Sequence, residues 1–369
     1  MNSSSIRRVA LLGCDDQVLK LVSRGVAQGR IAISAAIDAP ESHRAALRQW
    51  APETPFIDQW EEILDGQSVD VAIFAEPAEF FLELSERRTE QLKKAAAAGI
   101  DLVLFHPACD GMLGYELEMA RSTSRGRILT LCPEIRHPIF RRLQEELQRL
   151  EPSHRVEQVI VERSAADARR TNILRDFVKD AMLLREFFGV PGRLSANGPA
   201  PDSDDWSHLA ILLNVPNGPN IRWNIDPTGA IEGSRMTIIT SAGRMLVALD
   251  REGRVGEFTR DGQTESLTDE DAWADDVWTQ LQSPRDESAV QEDPIWLGAC
   301  RDLDLAHAAR RSVARGRMVE LQVDRATEAA NFKGVMSAWG CLLLLGVFLF
   351  FVVWSVVGAL ELTWTSGPP

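Results

Sequence analysis

The chain has 369 residues, of which 45% are hydrophobic and 25% charged, and its formal net charge is -14 at pH 7. This length predicts two ordinary domains, since single cores rarely grow beyond about 250 residues, and the composition excludes wholesale disorder. The acidic charge argues against a nucleic-acid partner, because phosphate binding needs a clustered lysine and arginine surface. Five scattered cysteines without a C-x-x-C pair favour a reducing compartment over a disulfide framework, and no histidine pattern suggests a metal site.

Strands and helices alternate along the first third of the chain. Short apolar runs that end at glycine, aspartate or proline predict strands, and the longer mixed stretches between them predict helices. The predicted strands are residues 8–12, 31–37, 69–75, 102–105 and 128–132, and the helices include 18–26 and 80–98. Such alternation is typical of a parallel, doubly wound sheet, so we expect an α/β Rossmann domain over residues 1–132.

The pattern changes after this region. A helix is predicted over 138–150, and β-prone segments separated by turn residues follow it, which indicates an antiparallel meander. These segments are residues 158–162, 210–215, 221–226, 236–241 and 245–250, before a helix at 295–315 and a last strand at 318–323. We therefore expect an α+β domain with an open antiparallel sheet over residues 133–323.

The C-terminal region has the character of a membrane span. No charged residue occurs from Gly334 to Leu360, and this length exceeds the roughly 20 apolar residues that cross a hydrocarbon core. We predict a linker over 324–333 and one transmembrane helix over 334–361, the alternative being a buried core helix. Arginines on the N-terminal side of the span place the folded domains in the cytoplasm, so the lipid bilayer is a predicted partner and the localisation is a single-pass C-terminal anchor.

Several short motifs follow one another along the chain, and their order and spacing are informative. They are Val69 to Ile73 followed by Glu76-Pro77, Ala95 to Gly99 followed by a strand and His106-Pro107, Arg136-His137-Pro138, Val215 to Gly218, and Ala308 to Gly316. In this order and spacing the chain resembles the glucose-fructose oxidoreductase / inositol dehydrogenase (Gfo/Idh/MocA) family from about residue 8 to 321. The resemblance implies a Rossmann domain joined to an open antiparallel sheet, NAD or NADP as cofactor, and a polyol or sugar-like alcohol as substrate.

The dinucleotide loop departs from the family pattern. A diphosphate loop needs three glycines, and of these only Gly13 is present in Gly13-Cys14-Asp15-Asp16. Carboxylates at a helix N-terminus suit the helix dipole, but they occupy the place of a phosphate and repel it, so cofactor binding is in doubt; the simpler interpretation is a helix cap. Asp38, after the second strand, is either a ribose ligand or a turn former. The predicted cofactor-contacting residues are Gly13, Cys14, Asp15, Asp38, Glu76 and Pro77.

The predicted catalytic residues also depart from the family pattern. The resemblance implies a catalytic lysine in Glu-Lys-Pro, whose position falls on His106, and an Asp/His pair on a helix of the second domain. Alignment on the end of that helix puts Lys179 at the histidine position, while a shift of one residue supplies Asp176 and Asp180, which lie four residues apart on one helical face. His106 is either a general base or a polar residue at a strand end, and the helix residues are either catalytic or a solvated charged face. The candidates are His106, Asp176, Lys179 and Asp180.

Two functions follow from these departures. The first is a membrane-anchored protein with the oxidoreductase fold that is catalytically degenerate and binds a ligand or another protein. The second is an active NAD(P)-dependent oxidoreductase that uses His106 in place of the family lysine. A homo-oligomer formed through the open sheet is compatible with both.

Overall fold

The computed structural model describes residues 6–65, 69–76, 86–108, 111–124, 126–151, 154–165, 167–200, 203–226, 231–283 and 295–321, with 347–349, 351–352 and 354–355 near the end. The chain divides into two compact units, Met1–Gln322 and Val323–Pro369. The fold described next is that of the first unit.

A parallel sheet forms the N-terminal half of the first unit. Its strands are continuous apolar runs because both faces of the sheet are covered by helices. Among the described residues the strands are β1 (Arg7–Leu12), β2 (Ile31–Ile37), β3 (Val71–Phe74), β4 (Asp101–Phe105) and β5 (Ile128–Leu131), in the order β2-β1-β3-β4-β5. The helices are α1 (Asp16–Ala27), α2 (Glu41–Trp50), α3 (Glu62–Asp65), α4 (Glu86–Ala97) and α5 (Gly111–Ser124). The order reverses between β1 and β3, which is where doubly wound sheets bind ligands at the carboxyl ends of their strands.

A second, mixed sheet forms the other half. It is flanked by α6 (Pro138–Gln148) and α7 (Arg170–Phe188), whose apolar faces join its core. The described strands are β6 (Val156–Ser164), β7 (Arg193–Asn197), β8 (Ala210–Asn214), β9 (Asn220–Asp226), β10 (Ser234–Thr240), β11 (Gly243–Leu249), β12 (Val255–Arg260), β13 (Gln263–Thr268) and β14 (Val319–Glu320), in the order β13-β12-β11-β10-β6-β9-β8-β7-β14.

The second sheet corrects one expectation. It was predicted to be antiparallel, but β6 and β9 pair in parallel. The reason is topological: the chain leaves β6 through α7 and returns through the β7-β8-β9 meander, so that β9 enters beside β6 in the same direction. The other pairings in this sheet are antiparallel.

Two late helices pack against the parallel-sheet half. Helix α8 (Ala272–Gln282) places Trp273 and Trp278 in the core formed by β1 and α1, and the Trp278 indole donates a hydrogen bond to the Leu21 carbonyl over 2.8 Å. Helix α9 (Ile295–Arg315) contributes Trp296 to the core beside α5 and its later turns to the core under the mixed sheet. The two halves are therefore tied together by the last part of the unit, and the predicted boundary at residues 132 and 133 stays a prediction.

The predicted membrane span, 334–361, lies largely outside the described residues. Within it, 347–349, 351–352 and 354–355 are helical, and Phe348 and Trp354 are each 69% exposed. A search of the described residues finds no helix whose length and apolarity would let it cross a bilayer.

Candidate active-site region

In the turn between β1 and α1, a side-chain carboxylate accepts hydrogen bonds from backbone amides of the same protein. Gly13 has φ +82°, and a Cβ at this position would lie 3.1 Å from the Cβ of Ala75, so glycine is required there. Asp15 caps α1: its Oδ1 accepts a hydrogen bond from the Val18 amide over 2.8 Å, and its Oδ2 accepts one from the Glu76 amide over 3.2 Å. One carboxylate thus satisfies backbone donors from two loops at the carboxyl edge of the sheet.

This arrangement does not fit a dinucleotide diphosphate. A diphosphate binds such a turn by accepting from the backbone amides at the helix N-terminus, and Asp15 already does so at the Val18 amide. Cys14 is buried, and burial, reinforced by the neighbouring charges of Asp15 and Asp16, raises the pKa of its thiol to about 12. The turn is therefore neutral at Cys14 and negative at Asp15 and Asp16, which repels a phosphate.

Of two further predicted cofactor contacts, Asp38 and Pro77, only Asp38 lies among the described residues. Asp38 follows β2 with φ +52°, and its Oδ2 lies 3.4 Å from Nη2 of Arg87 in an exposed ion pair. Asp38 therefore lies at the end of β2, where the sequence predicted a ribose ligand, and its carboxylate forms an ion pair with Arg87. Pro77 lies outside the described residues.

His106 is placed inside the protein. Its side chain is on the carboxyl end of β4, the residue is 3% exposed, and the ring Nε2 lies 3.3 Å from the Val178 carbonyl of α7. Burial lowers the pKa of His106 to about 3, so the ring is neutral at physiological pH. A neutral, buried imidazole bonded to a backbone carbonyl matches the polar strand-end residue of the two sequence interpretations better than it matches a general base.

The first turns of α7 form an ion-paired cluster with the strand-end loops. Lys179 Nζ lies 2.9 Å from Oε2 of Glu76, after β3, and 3.4 Å from Oε1 of Glu134, after β5; Arg175 Nη1 lies 3.5 Å from the other oxygen of Glu76. Burial alone would lower the pKa of Lys179, but the two carboxylates outweigh it and hold the pKa above its ordinary value. Burial likewise opposes ionisation of Glu134, and Lys179 with Arg163 overcomes it, so that the pKa falls to about 2. Lys179 is therefore a fixed cation.

A second cluster on the same helix centres on Asp180. Its Oδ1 accepts from Arg163 Nη1 over 2.7 Å, and its Oδ2 accepts from the Trp223 indole over 2.7 Å. Arg163 also lies 3.9 Å from Asp176. Burial raises the pKa of Asp180 despite its two donors, whereas the carboxylates raise that of Arg163. Asp180 thus faces β6 and β9 with a side chain that is 13% exposed, and the solvated-face interpretation does not describe it, whereas Asp176, 32% exposed, lies at the edge of the same cluster.

A cavity of about 280 Å³ lies between these clusters, the mixed sheet and α1. Its rim is polar and includes Gln17, Lys20 and the turn at 250–254. Its floor consists of buried apolar side chains, namely Phe140, Val161, Leu183, Leu184, Met236, Val247 and Leu249. The volume is near the lower end of small-molecule sites, roughly 300 to 1,000 Å³, so the cavity suits a ligand about as large as a monosaccharide.

Three residues of this region were not anticipated from the sequence. They are Arg163 on β6, Glu134 in the short 3-10 helix after β5, and Trp223 on β9. Arg163 breaks the apolar alternation of its strand, and that charged residue at an inward position was the available signal. Glu134 and Trp223 carry no such signal, since their partners lie far away in sequence. The residues that the structure describes contain no group of three side chains placed to hold a metal ion.

Comparisons with known proteins agree with this architecture. No protein-family model matches the sequence, and no curated protein matches it. Among solved structures, the WlbA dehydrogenase of Chromobacterium violaceum, in complex with NADH and UDP-GlcNAcA, aligns with a TM-score of 0.66 at 17% identity over 88% of this chain and 98% of that one.

Two further structures give the same picture. A myo-inositol dehydrogenase of Corynebacterium glutamicum has a TM-score of 0.64 at 16% identity, covering 86% of this chain and 100% of that one. An oxidoreductase of Thermotoga maritima has a TM-score of 0.64 at 17% identity, covering 85% and 98%. The parallel sheet, the mixed sheet and these neighbours together show that the chain has the fold of the Gfo/Idh/MocA oxidoreductases, as its sequence motifs indicated.

Proposed function

We propose that this chain is a membrane-anchored ligand-binding protein with the Gfo/Idh/MocA fold, which binds a small molecule in the cavity and does not transfer a hydride. The observation that carries the proposal is the double hydrogen bond of Asp15, whose carboxylate takes the Val18 and Glu76 amides at the turn where a dinucleotide would bind. With these amides taken by Asp15, the turn offers fewer donors to the diphosphate of NAD or NADP, which such a turn normally binds.

The clusters around the cavity support the same proposal. Alcohol oxidation needs a base that accepts the hydroxyl proton near neutral pH. His106 is buried with its pKa lowered to about 3, and Lys179 remains a cation between Glu76 and Glu134. Neither group is suited to take up a proton at physiological pH. The charged rim still offers donors and acceptors to a ligand, so binding without chemistry is the function that these residues support best.

The proposal also includes the membrane anchor and the homo-oligomer that were predicted from the sequence. The uncharged segment 334–360 and the exposed apolar side chains at 347–349, 351–352 and 354 support insertion into a bilayer with the folded unit on the cytoplasmic side. The outer face of the mixed sheet carries Leu212, which is 46% exposed. This apolar residue on an open sheet face supports pairing with a second copy.

A ligand screen tests the central part. The full-length chain is heated with polyols, sugars and sugar acids at about 10 mM, with and without NAD(H) or NADP(H), and the unfolding midpoint is recorded. Because a ligand that binds only the native state raises its stability, we expect at least one compound to raise the midpoint equally with and without nucleotide. Asp176→Asn, on the cavity wall, should weaken this shift, whereas Asp38→Asn, outside the cavity, should leave it unchanged. Turnover of any screened alcohol with NAD(P) would contradict the proposal.

The alternative is an active NAD(P)-dependent oxidoreductase acting on a polyol or sugar-like alcohol. One specific observation favours it: Gly13 keeps the tight positive-φ turn against Ala75 that a dinucleotide loop requires. On this alternative His106 would act as the base, and His106→Ala would abolish turnover. On the proposal made here His106→Ala changes stability alone.

A further inference from the structure

Four arginines form an exposed face at the C-terminal end of α9. They are Arg310, Arg311, Arg315 and Arg317, and all four are exposed. Within the described part of the chain, none of them has a carboxylate oxygen within ion-pair distance. The adjacent Met318 is 52% exposed. We call these five residues the arginine face; it is concentrated positive charge on a chain whose net charge is -14.

The arginine face is held rigidly. Ser312, fully buried, accepts a hydrogen bond from the Ala196 amide over 2.8 Å and donates one to the Arg317 carbonyl over 2.8 Å. Gly316, with φ +60°, ends the helix, and β14 then pairs with β7. The arginines are thus presented by a fixed helix end and turn, so that binding through them costs little backbone ordering.

The helix end by itself does not account for so many cations. One or two basic residues in a last turn interact favourably with the helix dipole. Four arginines within eight positions repel one another, and an anionic partner would lower that repulsion beyond what solvent and salt do. Guanidinium groups bind phosphate with two parallel hydrogen bonds, which makes phosphate the anion that the face suits best.

We propose that the arginine face docks on the anionic headgroups of a phospholipid surface. Its positive charge complements anionic lipids, and Met318 supplies an apolar side chain for the headgroup boundary. In sequence, fifteen residues, 319–333, separate the face from the uncharged segment 334–360, and these span at most about 55 Å when extended. The face does not depend on that segment being a membrane span, so the two proposals fail separately.

Vesicle flotation of the full-length chain tests the proposal. The chain is diluted from detergent onto preformed vesicles of phosphatidylcholine alone or with 30% phosphatidylglycerol (about one anionic lipid in three, the regime in which basic clusters bind). Binding to phosphatidylcholine vesicles measures the contribution of the apolar segment. The additional binding to anionic vesicles measures the contribution of the arginine face. We expect partitioning onto anionic vesicles to be about tenfold stronger, and the preference to disappear in roughly 0.5 M salt.

Charge-removing variants assign that preference to the face. Arg311→Ser with Arg315→Ser removes half of the arginines and should reduce the roughly tenfold anionic preference to about threefold. Arg310→Ser with Arg317→Ser is an independent second pair, and Arg136→Ser with Arg141→Ser, exposed on another side, is the matched control with the same charge change. Equal binding to both kinds of vesicle, or an anionic preference that survives both pairs, overturns the proposal. A tighter, face-dependent binding to duplex DNA also overturns it, in favour of a nucleic-acid partner.

Discussion

The turn at Asp15 and the cavity above the mixed sheet satisfy their polar groups in different ways. In the turn, one carboxylate accepts hydrogen bonds from the Val18 and Glu76 backbone amides, so these two donors are not available to a phosphate. Around the cavity, cations and carboxylates pair with each other across three separate elements, yet about 280 Å³ stays open between them. A short turn can be closed by a single side chain, whereas a cleft between packed elements keeps its shape even when its charges are paired. In this protein a single side chain serves two loops at the turn, whereas the charges around the cavity are paired and the space between them stays open.

Among the substitutions considered, we expect the largest change in the free energy of unfolding from one beside the cavity. Arg163→Met removes the cation that serves Asp176 and Asp180 and leaves Asp180 buried with the Trp223 indole as its remaining donor. Breaking a buried ion pair on one side should lower the free energy of unfolding by about 3 kcal/mol, measured by urea denaturation. Adding Asp180→Asn should restore part of the loss; a single variant as stable as wild type would mean that the cluster is not a structural unit.

The next effect concerns α1, the helix that begins at the turn. A Cβ on Gly25 would lie 2.8 Å from the Trp278 ring and 2.9 Å from Ile31. Gly25→Ala should therefore cost about 2 kcal/mol, because α8 must move away from α1. Arg24→Ala, on the same helix and exposed, should cost less than about 1 kcal/mol. Equal effects in the two variants would show that α1 does not depend on α8.

A smaller, pH-dependent effect is expected from Glu134. Its pKa in the folded protein is about 2, below the ordinary value of 4.5, so its stabilising contribution is present above pH 4.5 and is lost as the pH falls toward 2. Glu134→Gln should make the urea midpoint fall less than that of wild type between pH 7 and pH 3.5. A parallel decline in both proteins would show that Lys179 does not stabilise the Glu134 carboxylate.

The smallest effect is expected at Asp38. Its φ of +52° is strained for an aspartate, and its partner Arg87 is half exposed. Asp38→Gly should relieve the strain and raise the free energy of unfolding by up to about 1 kcal/mol, because the lost ion pair contributes little. Thermal unfolding measures this change, and a clear destabilisation would indicate that the Asp38 side chain has a structural partner of greater weight.

Local sequence pattern was sufficient to predict most strands. Apolar runs such as 69–75 and 128–132 identify strands because a sheet covered on both faces buries every residue. The parallel pairing of β6 with β9 was missed, because it depends on where the chain re-enters the sheet and not on any local pattern.

The site residues show why local pattern is insufficient for chemistry. Asp15 was correctly expected to suit a helix N-terminus, and its cap to Val18 is local. Its second bond, to the Glu76 amide, joins residues 61 positions apart and has no signature in sequence. His106 was a candidate base by position, but its exposure is decided by α7, which packs the Val178 carbonyl against its ring.

The most direct test of the account is a calorimetric titration of NADH and NADPH into the full-length chain and its Asp15→Gly variant. Glycine at an N-cap costs the helix only a few tenths of a kcal/mol, so the variant should fold. We predict no saturable binding to wild type at nucleotide concentrations up to about 1 mM and binding at least about tenfold tighter to the variant. Wild-type dissociation constants below about 100 μM, equal to or tighter than those of the variant, would contradict it.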